Sequence, residues 1–386
     1  MNRFFLKKIW RNSTNIKPTV VIFYLALLFL STPLYSEIFW DGRFYGQTLS
    51  SFKDNSTTNI GTGILDLKLD ARPTDFFRTR GELEYAYAYS ENNPAIVSNN
   101  TDFFVINTFN TSFSRNDYEF TIGRFLPGWG RAKVFRPLDL FIPQTFYLNM
   151  LSHQGIDGVS AKYYISGLSS IEFLAIPSMD TGHITPYIST NSALSGQMNN
   201  SVAAINTEIH LGTFDNNFIF LHDSGSENNV LGFTCKGDAV VGLWSELYYG
   251  FNQKEKIDTF KTSLGADYSF AKYYFIAVEY FYDESGMPDY SNYSELMSLP
   301  RMTFGRQYLM FDFNIITYSE MNYGITYIGN LLDDSFMLYP YFRYEIFKNG
   351  YLGLSLYHFD GAGGREFSPG ILGSYVLNTY LVAKFH

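Results

Sequence analysis

The chain of 386 residues carries one cysteine, Cys235, so it closes no disulfide within itself and builds no thiolate metal cluster. Charged residues are scarce at 17%, below the quarter usual in soluble domains. Past residue 36 no apolar run approaches the ~20 residues that a membrane-crossing helix needs. The glycine cluster Gly361-Ala362-Gly363-Gly364 lacks a strand-then-helix setting and reads as loop rather than phosphate cradle. Bases are outnumbered, 28 against 37 acids, for a net charge of −9, which argues against nucleic acid as a partner.

Aromatic residues, by contrast, make up 19% of the chain, with 31 Tyr and 37 Phe, while mean hydropathy is only −0.09. Average hydropathy, abundant Tyr and Phe and no long apolar run are what a transmembrane β-barrel requires: apolar outside, polar inside, aromatic at both rims. The first 36 residues read as a secretory leader. Arg3, Lys7, Lys8, Arg11 and Lys17 precede the apolar run Thr19 to Leu30, which is too short to cross a bilayer comfortably. Removing residues 1–36 leaves 23 bases and 37 acids, a charge of −14, on residues 37–386, read as the barrel.

Strict alternation is the strongest local signal. Leu65, Leu67, Leu69 and Ala71 share one face of a strand, and Asp66, Lys68, Asp70 and Arg72 the other; in the next, Leu83, Tyr85, Tyr87 and Tyr89 oppose Arg78, Arg80, Glu82 and Glu84. Period two with a clean split means that the two faces meet different solvents. The pattern recurs along the chain and predicts an all-β fold: an antiparallel up-and-down barrel of about 18 strands, with 16 the alternative, and no plug domain. Every second connection is short, as at Pro73-Thr74-Asp75, Arg115-Asn116 and Gly237-Asp238; the intervening ones, 53–62, 90–101, 125–156, 178–200 and 283–305 among them, are longer. Short turns on one rim and long loops on the other place both termini in the periplasm. Arg124 shares the phase of Tyr118, Phe120 and Ile122, an exception to the split of the faces that predicts a bulge or strand end there.

The most distinctive stretch is Gly123 to Pro143, GRFLPGWGRAKVFRPLDLFIP, with its Gly-Arg, then Trp129-Gly130, then Pro137-x-Asp139 skeleton. Here the chain resembles porin-like bacterial outer-membrane proteins, including the alginate-export type. That resemblance implies an export channel lined by bases, for which Arg124, Arg131, Lys133 and Arg136 are the matching positions. Read from its residues alone, the 125–156 loop is the longest and is too apolar for disorder. Trp129, Pro137 and Phe141 mark it as a constriction folded into the lumen; packing on the outer rim is the competing expectation. In the lumen phase stand Arg43, Arg78, Arg80, Arg306 and Arg343, with Glu82, Glu84, Asp66, Asp70, Glu279 and Asp312, and with Asp139 in the loop. Fixed charges in a narrow pore select solutes by sign.

Catalytic constellations are absent. Ser152-His153 and His222-Asp223-Ser224 are sequence neighbours, and neighbours on a strand point to opposite faces. No cofactor and no metal is expected. The expected partners are outer-membrane lipid and lipopolysaccharide, the barrel-assembly machinery and small hydrophilic solutes. The reading is a porin or channel for passive diffusion or export of small hydrophilic, anionic or saccharide solutes in the bacterial outer membrane. The alternative is a non-conducting surface barrel that binds polysaccharide or another extracellular ligand through its loops.

Overall fold

The computed structural model describes residues 37–385 apart from 54–55, 92–100, 142–154, 178–200, 225–226, 253, 255, 272, 290–302, 318–320 and 370–373. The expected leader, residues 1–36, lies outside the described residues, as does the later part of the long loop, 142–154.

Eighteen strands follow one another: β1 (Glu37–Lys53), β2 (Ser56–Thr74), β3 (Phe77–Glu91), β4 (Thr101–Arg115), β5 (Tyr118–Phe125), β6 (Ile156–Ser166), β7 (Ser169–Ile176), β8 (Val202–Leu211), β9 (Phe214–Asp223), β10 (Asn228–Asp238), β11 (Gly242–Asn252), β12 (Ile257–Phe270), β13 (Tyr274–Asp283), β14 (Gln307–Ile316), β15 (Met321–Asn330), β16 (Ser335–Phe347), β17 (Gly350–Asp360) and β18 (Tyr375–Phe385). Each pairs antiparallel with the next, and β18 returns to β1 with Gly42 opposite Phe385, so the sheet closes without a free edge.

Alternation along each strand sorts the faces. Phe44 and Tyr85 stand outside and are more than 40% exposed, while Asp66 and Glu84, next to them in the ladder, turn inward and are buried. At the short-turn rim the aromatic girdle is built from the Phe76, Phe77 and Phe113 cluster, with centroids 5.3–6.0 Å apart, and from Tyr118 against Tyr163 at 4.9 Å. The tight turns of this rim run through left-handed residues, Asn116 (φ 52°), Gly212 (φ 65°), Ala271 (φ 49°) and Asn349 (φ 67°), the conformation that two-residue hairpins favour.

Two expectations are corrected. Residues 56–62 are not loop: β2 begins at Ser56, and ladders to β1 and β3 hold it extended on both sides. Its Ser, Thr and Gly content marks a polar stretch of wall. The lumen is also less polar than alternation implies. Leu174, Ile176, Val202, Ala204, Ile219, Leu221, Val230 and Tyr248, on β7 to β11, form one buried apolar cluster. Phe281, Tyr308, Met310, Ile328, Met337, Phe359 and Val376, on β13 to β18, form another. Inward apolar residues are stable there because inward-folded segments cover them.

Candidate functional site

Those covers are the site. Gly123, at φ 120°, lies two residues before the end of β5, whose ladders run on through Arg124 without a register shift; a Cβ there would stand 2.4 Å from the Phe109 carbonyl oxygen, so only glycine fits. Arg124 then turns off the strand phase and is buried, with Nε and Nη2 on the Asp157 carboxylate at 3.0 and 2.5 Å and Nη1 donating to the Ile106 carbonyl at 3.2 Å. From this anchor the chain leaves the wall and crosses the interior over 126–141. Trp129 packs edge-on against Phe141, centroids 5.5 Å apart. The Gly130 N–H donates to Asp139 Oδ1 at 2.7 Å, and a Cβ on Gly130 would collide with that carboxylate. Residues 136–139 close a β-turn, Asp139 N–H to Arg136 carbonyl at 3.1 Å, with Pro137 in the position whose φ proline presets. The Gly-Arg, Trp-Gly and Pro-x-Asp motif is thus the internal bracing of this segment.

Two buried glutamates of the wall hold the segment in place. Glu246 on β11 accepts the N–H groups of Arg131, Ala132 (2.5 Å) and Leu138 (3.2 Å). Glu279 on β13 accepts those of Lys133 (2.8 Å), Val134 (3.2 Å) and Phe135 (2.6 Å), and Trp244 Nε1 adds a fourth at 2.8 Å. Six loop amides that have no ladder partner find charged acceptors here, which is how an irregular backbone stays inside a barrel. Side chains add cross-links: Arg131 to Glu208 on β8 at 2.7 Å, and Lys133 to Asp312 on β14, which also accepts from Thr326 (2.8 Å). Leu138, Leu140 and Phe141 complete the first apolar cluster, and Phe135 enters the second, stacked on Phe281 at 4.8 Å.

Between segment and wall lies a cavity of about 400 Å³ lined by Arg131, Lys133, Arg136 and Lys236, with Asp267 opposite and Trp244 and Phe275 as flat walls. It lies toward the short-turn rim, since Trp244 and Phe275 are near the starts of β11 and β13 and Lys236 near the end of β10. Lys133 Nζ stands 4.2 Å from the Phe275 ring centroid, a cation–π contact.

The remaining sequence-derived residues scatter around this centre. Arg43 pairs with Asp66, Arg78 with Asp70 at 2.5 Å, and Lys68 with Glu82 at 3.0 Å, all on the β1 to β3 wall. Glu84 is buried and accepts from Asn107 at 3.2 Å. Arg80 faces the lumen, exposed to its water, and makes no ion pair among the described residues. Arg343 lies over Tyr351 at 5.2 Å. Arg306 is at the long-loop rim, where its Nε donates to the Gly286 carbonyl at 2.8 Å, so it braces a loop. Arg136 donates to the Ala132 carbonyl at 2.7 Å and lies 3.5 Å from Asp139.

Sequence reasoning missed Glu208, Glu246 and Trp244, and a second inward segment, 361–369. In that segment the buried Glu366 carboxyl takes the Tyr308 hydroxyl, Asn330 Nδ2 (2.8 Å) and the Phe304 N–H (3.1 Å), and Phe367 is fully buried. Burial pushes the Glu366 carboxyl up to about 7, against the hydrogen bonds that favour its charged form. A usable signal existed for Glu246: it is the one acid in LWSELYYGF, in phase with Trp244 and Tyr248. Among the described residues no His, Cys, Asp and Glu group has metal-binding geometry. The His210 and His222 rings bond Asp215 (2.7 Å) and Asn229 (2.9 Å), and no serine hydroxyl is hydrogen-bonded to either ring among the described residues.

No family model and no curated protein matches the chain. Solved structures do. OccAB4 of Acinetobacter baumannii aligns over 90% of this chain and 98% of its own, with TM-score 0.58 at 10% identity. OccK7 (OpdD) of Pseudomonas aeruginosa covers 92% and 99%, with TM-score 0.58 at 10% identity. The fold is that of the Occ outer-membrane porins. A third similar structure, OccK2 (OpdF) of Pseudomonas aeruginosa in complex with glucuronate, covers 90% and 97%, with TM-score 0.57 at 7% identity.

Proposed function

We propose that the protein is an outer-membrane channel that passes small hydrophilic solutes, with a preference for anions, through a lumen narrowed by residues 126–141. The observation that carries this reading is the cavity of about 400 Å³ where Arg131, Lys133 and Arg136 of the inward segment face Lys236 of the wall. Arg131, Lys133 and Arg136 are paired with Glu208, Asp312 and Asp139, and Asp267 also lines the cavity, so the excess positive charge is that of Lys236, which makes no ion pair among the described residues; an anion entering the passage meets it together with the N–H donors of the paired cations. The exposed apolar and aromatic outer face suits lipid and the acyl chains of lipopolysaccharide, and a closed antiparallel barrel is the substrate of the barrel-assembly machinery. The chain works as a conduit rather than an enzyme.

A uronate or other acidic saccharide is the solute class we favour. Support comes from the glucuronate held by the OccK2 structure and from the resemblance to alginate exporters. The motif behind that resemblance speaks to architecture, because Gly123, Arg124, Trp129, Gly130 and Asp139 brace the turn; Arg131, Lys133 and Arg136 also cross-link the segment, to Glu208, Asp312 and Asp139, and would meet cargo as members of those ion pairs. Of the other positions read as pore-lining, Arg43, Arg78, Arg80, Glu82, Glu84, Asp312 and Arg343 set the wall potential along the same path.

A second reading is favoured by the two apolar clusters, which fill much of the interior with residues such as Phe135 and Leu138 at zero exposure. In that reading the barrel is sealed and binds polysaccharide through its loops. Proteoliposome swelling separates the two. Entry rates that fall with solute size, with glucuronate faster than a neutral sugar of equal mass, support the channel; no entry of any solute overturns it.

A further inference from the structure

We propose that the lumen wall of β16, β17, β18 and β1 is a saccharide-binding track made of tyrosine side chains; this rests on the channel reading and names a second contact for the cargo, apart from the cations. Tyr45, Tyr339, Tyr341, Tyr357 and Tyr380 all take the inward phase of these four adjacent strands and are half-buried. The outward positions of the same strands are mostly Leu and Phe, including Phe44, Phe342, Leu352 and Leu354. Ring packing alone would be served by phenylalanine; a phenol hydroxyl is kept where something polar meets it.

The geometry suits a pyranose. Tyr339 and Tyr357 stack at 4.8 Å with planes 12° apart, the spacing of neighbouring strands, so their rings stand side by side and project from the wall. Pro340 follows Tyr339 and has no N–H to give the ladder, and the β16–β17 pairing resumes only at Tyr341 opposite Ser355. Tyr341 continues the stack at 5.5 Å. Tyr380 lies flat: its Cζ stands 2.0 Å from where a Cβ of Gly353 would be, so glycine lets the ring rest on the wall. Tyr45 follows at 5.9 Å, its hydroxyl donating to Gln47 at 2.8 Å. The apolar C–H face of a sugar can rest on the flat Tyr380 ring, while the stacked Tyr339, Tyr341 and Tyr357 cover one another's faces and offer edges and phenol hydroxyls with which equatorial hydroxyls pair; a track offering both holds a saccharide weakly and repeatedly, as conduction requires. At one end Tyr339 neighbours Thr326, which bonds the Asp312 that holds Lys133. At the other, Arg343 and the Arg43–Asp66 pair lead to the short-turn rim. The track therefore runs from the inward segment toward the exit.

The test uses maltotriose, a neutral saccharide that the cationic cavity does not attract, with polyethylene glycol of similar size as control. Isothermal titration into the detergent-solubilised barrel is paired with sugar-induced current noise in planar bilayers. Expected is maltotriose affinity that exceeds the glycol's and weakens at least about tenfold in Tyr339→Ala/Tyr380→Ala. Heat-modifiable gel mobility verifies that the variants fold, and Tyr357→Phe supplies a milder change with a smaller loss. Equal affinity in wild type and variants, or equal binding of the glycol, overturns the track. Sugar binding without any ion current overturns the channel reading and leaves the track standing.

Discussion

Replacing Glu279 by glutamine tests the clasp that holds the inward segment. The carboxylate receives Phe135 N–H on Oε1 at 2.6 Å, and Lys133 N–H and Trp244 Nε1–H on Oε2, both at 2.8 Å, with Val134 N–H shared between the two oxygens. An amide keeps one acceptor oxygen and turns an NH2 toward the other donors. If the nitrogen takes the Oε2 position, two donors lose a charged acceptor. Hydrogen bonds to charged groups are worth about 1.5–3 kcal/mol each, so docking weakens by about 3–6 kcal/mol, or about two to four decades in the ratio of docked to undocked segment. Glu246 still holds three amides, so Glu279→Gln alone should add brief high-conductance openings to the single-channel record, and Glu246→Gln/Glu279→Gln should make the wider state dominant. The barrel wall keeps its ladders in both variants and retains heat-modifiable mobility. A folded double variant whose unitary conductance and open-state noise match wild type refutes the clasp.

Raising pH should loosen the second inward segment. Glu366 has its carboxyl pushed up to about 7 from an ordinary 4.5, so docking favours the protonated form: its contribution is complete below about 4.5, is lost as pH rises through about 7, and amounts to about 3 kcal/mol. Hydrogen exchange of the 361–369 amides, corrected for intrinsic rates, should accelerate across that window in wild type and not in Glu366→Gln; the same profile in both would remove Glu366 as the cause. Gly123→Ala forces a side chain into φ 120° and toward the Phe109 carbonyl, and should lower stability by about 1–3 kcal/mol in urea unfolding from vesicles. Arg124→Ala strands Asp157 and should cost about 3 kcal/mol in the same assay, whereas Arg80→Ala, with no ion pair to break among the described residues, should leave stability within about 0.5 kcal/mol while shifting the reversal potential toward cations.

The barrel was legible because period-two alternation is a local signal. Asp66, Lys68 and Asp70 against Leu65, Leu67 and Leu69 declare two solvents without any tertiary information, and the short turns at Asn116 and Asn349 fix the parity of the connections. Where both faces are apolar, as at Leu174 and Ile176 of β7, alternation fades, and the reason became visible only in the segment packed on the inner face. The candidate site was half legible. Gly123 to Asp139 drew attention through its glycines, proline and tryptophan, residues that mark special backbone geometry. Its anchors were not legible as anchors: Glu279 reads as one more lumen acid and Glu246 does not stand out, because both lie more than 100 residues downstream and are ordinary inward acids until the loop amides reach them. Residue type likewise does not tell a lumen charge from a rim brace: Arg306 and Arg343 share the inward phase, and only position along the strand separates them. The 53–62 stretch was misread as loop because Ser, Thr and Gly carry the same composition in a polar wall as in a turn.

The unitary conductance of the wild-type protein in planar bilayers, set beside that of a variant lacking residues 131–148, tests the central claim most directly. A channel narrowed by its own inward segment gives discrete, small, anion-favouring steps in wild type and larger, less selective steps after the deletion. No current from the wild type, or equal conductance and selectivity in the two proteins, would contradict it.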